Sequence, residues 1–163
     1  MPKQMLIPEP NPPIAHGSAF DQRLAYALLR VVFGINIFFH GISRLAGDHA
    51  AFLAYLSQQM AHAPLLPKWI LPPFAALLPW AEASVGFFLL LGLFTRFALV
   101  VGSLLMIVLM AGITLAQNWD VAGIQLIYCA IYFLLLTYRD RNFYSLDALL
   151  RIQGHVFRRD VKP

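Results

Sequence analysis

The chain has 163 residues, 60% of them hydrophobic and only 12% charged, with a formal charge of +4 and a mean hydropathy of +0.67. Those figures exclude an ordinary soluble domain, because a fold this small leaves much of its surface in water and could not hide that much apolar surface. They also argue against a nucleic-acid partner: the basic residues gather at helix ends and in the C-terminal tail, where they read as membrane-orienting charges and phospholipid contacts.

A chain of this length holds one domain. Residues 1–22 carry Pro2, Pro8, Pro10, Pro12 and Pro13, which predicts a polar, polyproline-like cytoplasmic tail rather than the apolar run of a signal peptide. Ser18-Ala19-Phe20-Asp21 has capping-box spacing, with Asp in place of the usual Glu, and introduces a first apolar span from about Leu24 to Ala46. In the following loop, Phe52, Leu53, Leu56 and Met60 fall on one helical face, predicting a short helix lying in the membrane interface. Pro64, Pro67, Pro72 and Pro73 interrupt any continuous helix beyond it. Three more spans follow, at about Phe74–Phe94, Phe97–Gln117 and Val121–Tyr138. Their apolar runs do not alternate as barrel strands would, and their connections are short enough to force antiparallel neighbours. The expected fold is therefore an all-α membrane protein, a four-transmembrane-helix bundle over 23–150 with an interfacial helix between the first and second spans. Residues 151–163 form a basic tail.

Lys3, Arg23 and Arg96, with Arg139, Arg141, Arg151, Arg158, Arg159 and Lys162, fall on one side of that arrangement; the other has Lys68 and, at its border, Arg44. The positive-inside rule then places both termini in the cytoplasm.

Ionisable groups inside spans are costly and tend to serve function. In the first span Arg30, Ile37, Gly41 and Arg44 share a face, with Asn36 and His40 on its flank. The second span has one charge, Glu82, three residues after Pro79. In the fourth, Gln125, Tyr128, Cys129 and Tyr132 repeat at helical spacing. His40 is roughly 9 Å and Glu82 roughly 12 Å below the outer ends of their helices at the usual helical rise. These depths predict a pocket in the outer half of the bundle: His40 and Glu82 in catalytic roles, and Asn36, Arg44, Gln125 and Tyr128, with Trp80 and Trp119 near the rim, binding a cofactor. Arg30 is deeper and a poorer member. A carboxylate, an imidazole, phenols and an amide around an apolar cavity suit a quinone head group and proton transfer to it. Each residue also has a purely structural explanation. Arg44 would snorkel to the outer interface; Glu82 would satisfy free amides if its helix began at Pro79; His40 would pack and hydrogen-bond; the aromatic residues would pack or form an interface belt. The lone Cys129, in an apolar run, reads as an inert core residue and leaves no disulfide or Cys-x-x-Cys motif. No haem is expected, since His40 is the sole intramembrane histidine. No flavin motif is present, and His49 and His62 in the loop match no metal-ligand spacing.

Two stretches of the first span, Leu29-Arg30-Val31-Val32-Phe33-Gly34 and Phe39-His40-Gly41-Ile42-Ser43-Arg44-Leu45, resemble the opening helix of the DoxX/DoxD-like membrane proteins. Glu82-Ala83-Ser84-Val85-Gly86 running into Leu91-Gly92-Leu93-Phe94-Thr95-Arg96 resembles the family's second-helix signature. Gln117-Asn118-Trp119-Asp120, Gln125-Leu126-Ile127-Tyr128 and Tyr144-Ser145-Leu146-Asp147 are closer to the DoxD branch, the membrane subunit of thiosulfate:quinone oxidoreductase. The resemblance covers about residues 24–150. It implies a four-helix bundle in a prokaryotic inner membrane, linked to quinone or thiol redox chemistry, often beside a partner subunit; it transfers no catalytic residue. With so short a tail after the fourth span, the chain is expected to carry no soluble domain for oxidising thiosulfate. Three classes of function follow: a redox-associated subunit that binds quinone and takes electrons from a partner, a non-enzymatic anchor or assembly subunit, and a small transporter or lipid-binding protein. Membrane lipid is a partner in all three, and self-association as a homo-oligomer is compatible with each.

Overall fold

A computed structural model describes residues 18–63 and 67–151. The proline-rich segment before Ser18, the basic tail after Arg151 and the loop position Pro64 lie outside the described residues. Among the described residues, four helices are long and apolar enough to cross a membrane: α1 (Ala19–Ala46), α3 (Leu71–Leu91), α4 (Thr95–Leu115) and α5 (Trp119–Thr137). A short helix, α2 (His49–Gln59), lies between the first two.

The boundaries follow from the local chemistry. Ser18 caps α1 by accepting the Asp21 amide at 3.1 Å, while its hydroxyl donates to the Asp21 carboxylate at 2.7 Å. The shorter Asp therefore takes the hydroxyl, where the Glu of a capping box would reach back to the cap's own amide. At 28 residues, α1 is about 42 Å long, more than a hydrocarbon core requires. α3 begins at Leu71, with Pro72 and Pro73 in its first turn, where the missing proline N–H has no helical partner to lose. It runs unbroken through Pro79. Asp48 caps α2, and Asn118 caps α5 through the Val121 amide.

Successive span-length helices run antiparallel, so α2 lies at the end of the bundle where α1 and α4 finish and α3 and α5 start. Its half-buried residues Phe52, Leu53 and Leu56, with Met60 beyond, are the face expected from the sequence. Asn118 ties this end together by donating to the Gln59 amide oxygen at 2.9 Å.

α1 and α3 form the most extensive pairing, α4 and α5 the next, and α1 touches α5 far less. The intimate crossing depends on two glycines. A Cβ at Gly41 would lie 2.3 Å from the Ala83 backbone nitrogen, and one at Gly86 would lie 2.2 Å from that of Phe38. Backbone cannot move aside as a side chain can, so only glycine lets these helices meet this closely. Between the helices Phe33, Ile37, Val85, Leu89, Leu99, Tyr132 and Leu135 form the core. The outer faces of α4 and α5 present Leu104, Ile107, Leu126 and Phe133, a surface that lipid, not water, solvates.

The end opposite α2 is tied by a clasp of polar groups. Gly92 ends α3 in the left-handed conformation (φ 63°), and its carbonyl accepts the Asp147 amide at 2.9 Å. The Asp147 carboxylate accepts the amides of Phe94 and Thr95 at 2.8 Å each, capping α4. Arg30, fully buried, donates to the Leu89 and Leu90 carbonyls at 2.5 and 3.2 Å and to the Tyr144 carbonyl at 2.7 Å. A cation thus sits on the carbonyl end of one helix and a carboxylate on the amide end of the next, each matching the local helix dipole.

Candidate functional site

Two polar groupings interrupt the apolar interior near the α2 end. The first is an ion pair: Arg44 of α1 donates to the Glu82 carboxylate of α3. The Glu82 side chain is 9% exposed and that of Arg44 28%, so the pair is shielded on one side and open on the other. The Arg44 guanidinium also lies 5.1 Å from the centre of the Phe52 ring on α2, which places an aromatic roof over it. Arg44 therefore turns into the bundle and does not snorkel outward. With α3 starting eleven residues before Glu82, Glu82 is mid-helix and caps nothing.

The second grouping joins α1 to α5. Tyr128 donates its hydroxyl to the Asn36 side-chain oxygen at 2.8 Å, and the His40 ring stands nearly edge-on to Tyr128 at 6.5 Å between centres. Phe33 lies beneath, 5.7 Å from Tyr128 and 4.7 Å from Tyr132. Asn36 and His40 face outward. Gln125, one turn before Tyr128 on α5, keeps its side-chain oxygen buried and without a hydrogen-bond partner among the described residues. The His40 imidazole, the Tyr128 phenol and the Asn36 amide thus lie along one seam between α1 and α5.

The expected single pocket divides accordingly. Arg44 and Glu82 meet, Asn36, His40 and Tyr128 meet, and the carboxylate has Arg44 rather than His40 as its charge partner. Trp80 and Trp119 are exposed, at 64% and 65%. Trp119 lines a groove at the α2 end with Tyr55, Gln58, Gln59 and Asp120. Further along the α1–α5 seam, toward the clasp, Ala25, Tyr26, Leu29, Leu134, Leu135 and Tyr138 line a second groove of about 620 Å³. Sequence reasoning gave Arg30 no role. Its burial and its three carbonyl partners make it the centre of the clasp, and the available signal was its position on the same face as Gly41 and Arg44. Among the described residues, no three His, Cys, Asp or Glu side chains gather as metal ligands.

The DoxX family model matches residues 25–119, which takes in the α1–α3 crossing, the Arg44–Glu82 pair and the clasp residues Arg30, Gly92 and Thr95. No curated protein and no solved structure matches the chain. The match spans more than half of the sequence and coincides with the helices that form the bundle's closest contact. On that basis the chain, a multi-pass membrane protein, belongs to the DoxX family.

Proposed function

We propose that the protein is a quinone-binding, redox-associated subunit of a prokaryotic inner membrane, taking electrons from a partner protein in the manner of a thiosulfate:quinone oxidoreductase. The observation that carries this reading is the α1–α5 seam. Asn36 and His40 are polar groups on an exposed face of α1. Asn36 is met by Tyr128, while the His40 ring has no hydrogen-bond partner among the described residues, and an unmet polar group in that phase is expensive. A quinone, when bound, supplies an acceptor for two electrons and two protons. The residues fit such a group: the His40 imidazole can donate to a carbonyl oxygen, Tyr128 is oriented by Asn36, and the unpartnered Gln125 oxygen can accept from a hydroxyl. The groove along the same seam, mainly apolar but lined also by Gln22 and Arg141, offers room for an isoprenoid tail. In this reading His40 moves protons at its ring nitrogen, while the Arg44–Glu82 pair holds α1 against α3 and fixes the seam's geometry. The role of Glu82 is then positioning rather than proton transfer.

Both termini in the cytoplasm is part of the proposal. At the clasp end lie Arg23, Arg96, Arg139 and Arg141; at the α2 end Arg44 is engaged by Glu82, leaving Lys68 as the one unengaged Lys or Arg among the described residues there. That contrast supports placing the clasp end inside.

Purification in mild detergent, followed by extraction and mass spectrometry of bound quinone, tests the reading. The expected result is quinone retained by the native protein and lost from Tyr128→Phe. The isolated protein is expected to reduce quinone with thiosulfate only when a second protein is supplied. A second reading, a non-enzymatic anchor, rests on the same exposed Asn36 and His40, because a partner's helix would satisfy them equally well. Absence of quinone together with a co-purifying partner that His40→Ala releases would favour the anchor.

A further inference from the structure

We propose that the groove at the clasp end of α5 binds the headgroup of an anionic phospholipid, with phosphatidylglycerol as the best chemical match. The groove has a volume of about 600 Å³, and its walls include Thr95, Leu136, Arg139, Asn142, Phe143 and Arg151. It opens where α5 ends at Thr137, the level at which a membrane-spanning helix leaves the hydrocarbon.

The charges point to an anion. The groove contains two carboxylates, and both are already engaged: Asp147 accepts the amides of Phe94 and Thr95, and Asp140 accepts from Arg141 at 3.1 Å. Arg139 and Arg151 have no ion pair among the described residues. A third cation is near, since the Arg23 guanidinium lies 3.7 Å from the centre of the Phe143 ring. Two guanidinium groups without carboxylate partners suit a phosphate diester, which arginine binds through paired N–H donors.

The polar and apolar walls select the rest of the ligand. Asn142 donates its amide to the Thr95 hydroxyl at 3.0 Å, while its side-chain oxygen is buried without a partner. A headgroup hydroxyl would supply the missing donor. Leu136 and Phe143 continue as apolar wall and are 38% and 52% exposed, which accommodates an acyl chain and distinguishes a lipid from a soluble phosphate. The inference does not rest on the quinone reading: Asn36, His40, Gln125 and Tyr128 are not among the residues that line this groove.

The test is native mass spectrometry of the full-length protein in dodecyl maltoside, titrated with dioleoyl phosphatidylglycerol or dioleoyl phosphatidylcholine. A basic residue near an anionic surface contributes about a factor of five, so two give about a 25-fold preference for phosphatidylglycerol. Arg139→Gln with Arg151→Gln should abolish that preference without changing thermal stability in phosphatidylcholine. Lys68→Gln with Arg96→Gln removes the same charge elsewhere and should preserve it. Leu136→Trp, which narrows the apolar wall and keeps every charge, should weaken phosphatidylglycerol binding. Equal loss in both charge-matched doubles would show general attraction instead of a site and overturn the proposal. Binding of soluble glycerophosphoglycerol as tight as that of the lipid would also overturn it, by making the groove a site for soluble phosphate. If the arginine double were unstable in phosphatidylcholine, the Leu136→Trp result would decide alone.

Discussion

Arg44 and Glu82 close an ion pair between two antiparallel helices, and helix geometry brings them together. Side chains lean toward the N-terminus of their own helix. Arg44, near the end of α1, leans back into the bundle, and Glu82, in the middle of α3, leans toward the α2 end. The Gly41–Ala83 contact holds the two backbones at the separation their side chains must span. Glu82→Gln or Arg44→Met should each destabilise the protein by about 3 kcal/mol, because either leaves a poorly solvated charge without its partner. The double variant Glu82→Gln with Arg44→Met should be milder than the sum, giving a coupling of about 1 kcal/mol or more. Unfolding measured in mild detergent reads this directly, and His40→Ala combined with Glu82→Gln should show additive effects.

The α1–α3 crossing supplies a second prediction. Gly86→Ala would press a methyl group against the Phe38 backbone, whereas Gly123→Ala would meet nothing within 4 Å. Overpacking of this kind costs about 1–3 kcal/mol, and an alanine at an open helical position should be neutral or gain up to about 1 kcal/mol. Thermal melts of the two variants should therefore move apart. Equal melting temperatures would mean that the helices do not approach this closely in the membrane.

The clasp gives a third. Asp147→Ala uncaps α4 by removing the acceptor of the Phe94 and Thr95 amides, at a cost of about 1–2 kcal/mol. Hydrogen exchange at those two amides should accelerate, while exchange in the middle of α4 stays slow. Uniform acceleration along α4 would assign Asp147 a global role in place of a cap.

Much of this was legible in the sequence, and the failures share a cause. Long apolar runs gave the four spans, and the Phe52, Leu53, Leu56 and Met60 spacing gave the buried face of α2. α3 begins before the predicted span because prolines in a first turn open a helix as readily as they end one. The depth argument placed His40 and Glu82 at similar levels, but residue counting fixes height along a helix, not direction around it. Gly41 faces α3, so His40, one residue earlier and about 100° around the helix, turns toward Tyr128 on α5. Arg44 shares the Gly41 face, as the sequence indicated, and that placement outweighs the reach of its side chain toward the interface. The clasp was the least legible part, since it rests on Arg30 meeting carbonyls far away in sequence.

Orientation in the membrane is tested by cysteine labelling in a Cys129→Ala background. Asp140→Cys, in the turn at the clasp end, should stay protected from an impermeant thiol reagent in intact cells, and Asp120→Cys, at the α2 end, should be labelled. The reverse pattern would put both termini outside and the quinone seam in the cytoplasmic leaflet.

The central claim is that the seam of Asn36, His40 and Tyr128 binds a quinone, and a binding titration with a short-chain quinone analogue tests it most directly. The purified protein, Tyr128→Phe and His40→Ala would each be titrated in the same detergent, with thermal stability measured in parallel. Each variant removes one hydrogen-bonding group, worth about 1.4 kcal/mol, so affinity should fall about tenfold in each. Because the seam lies at the bundle's edge, melting temperatures should change little. Both variants binding the analogue as tightly as the unaltered protein would contradict the claim and leave the anchor reading in its place.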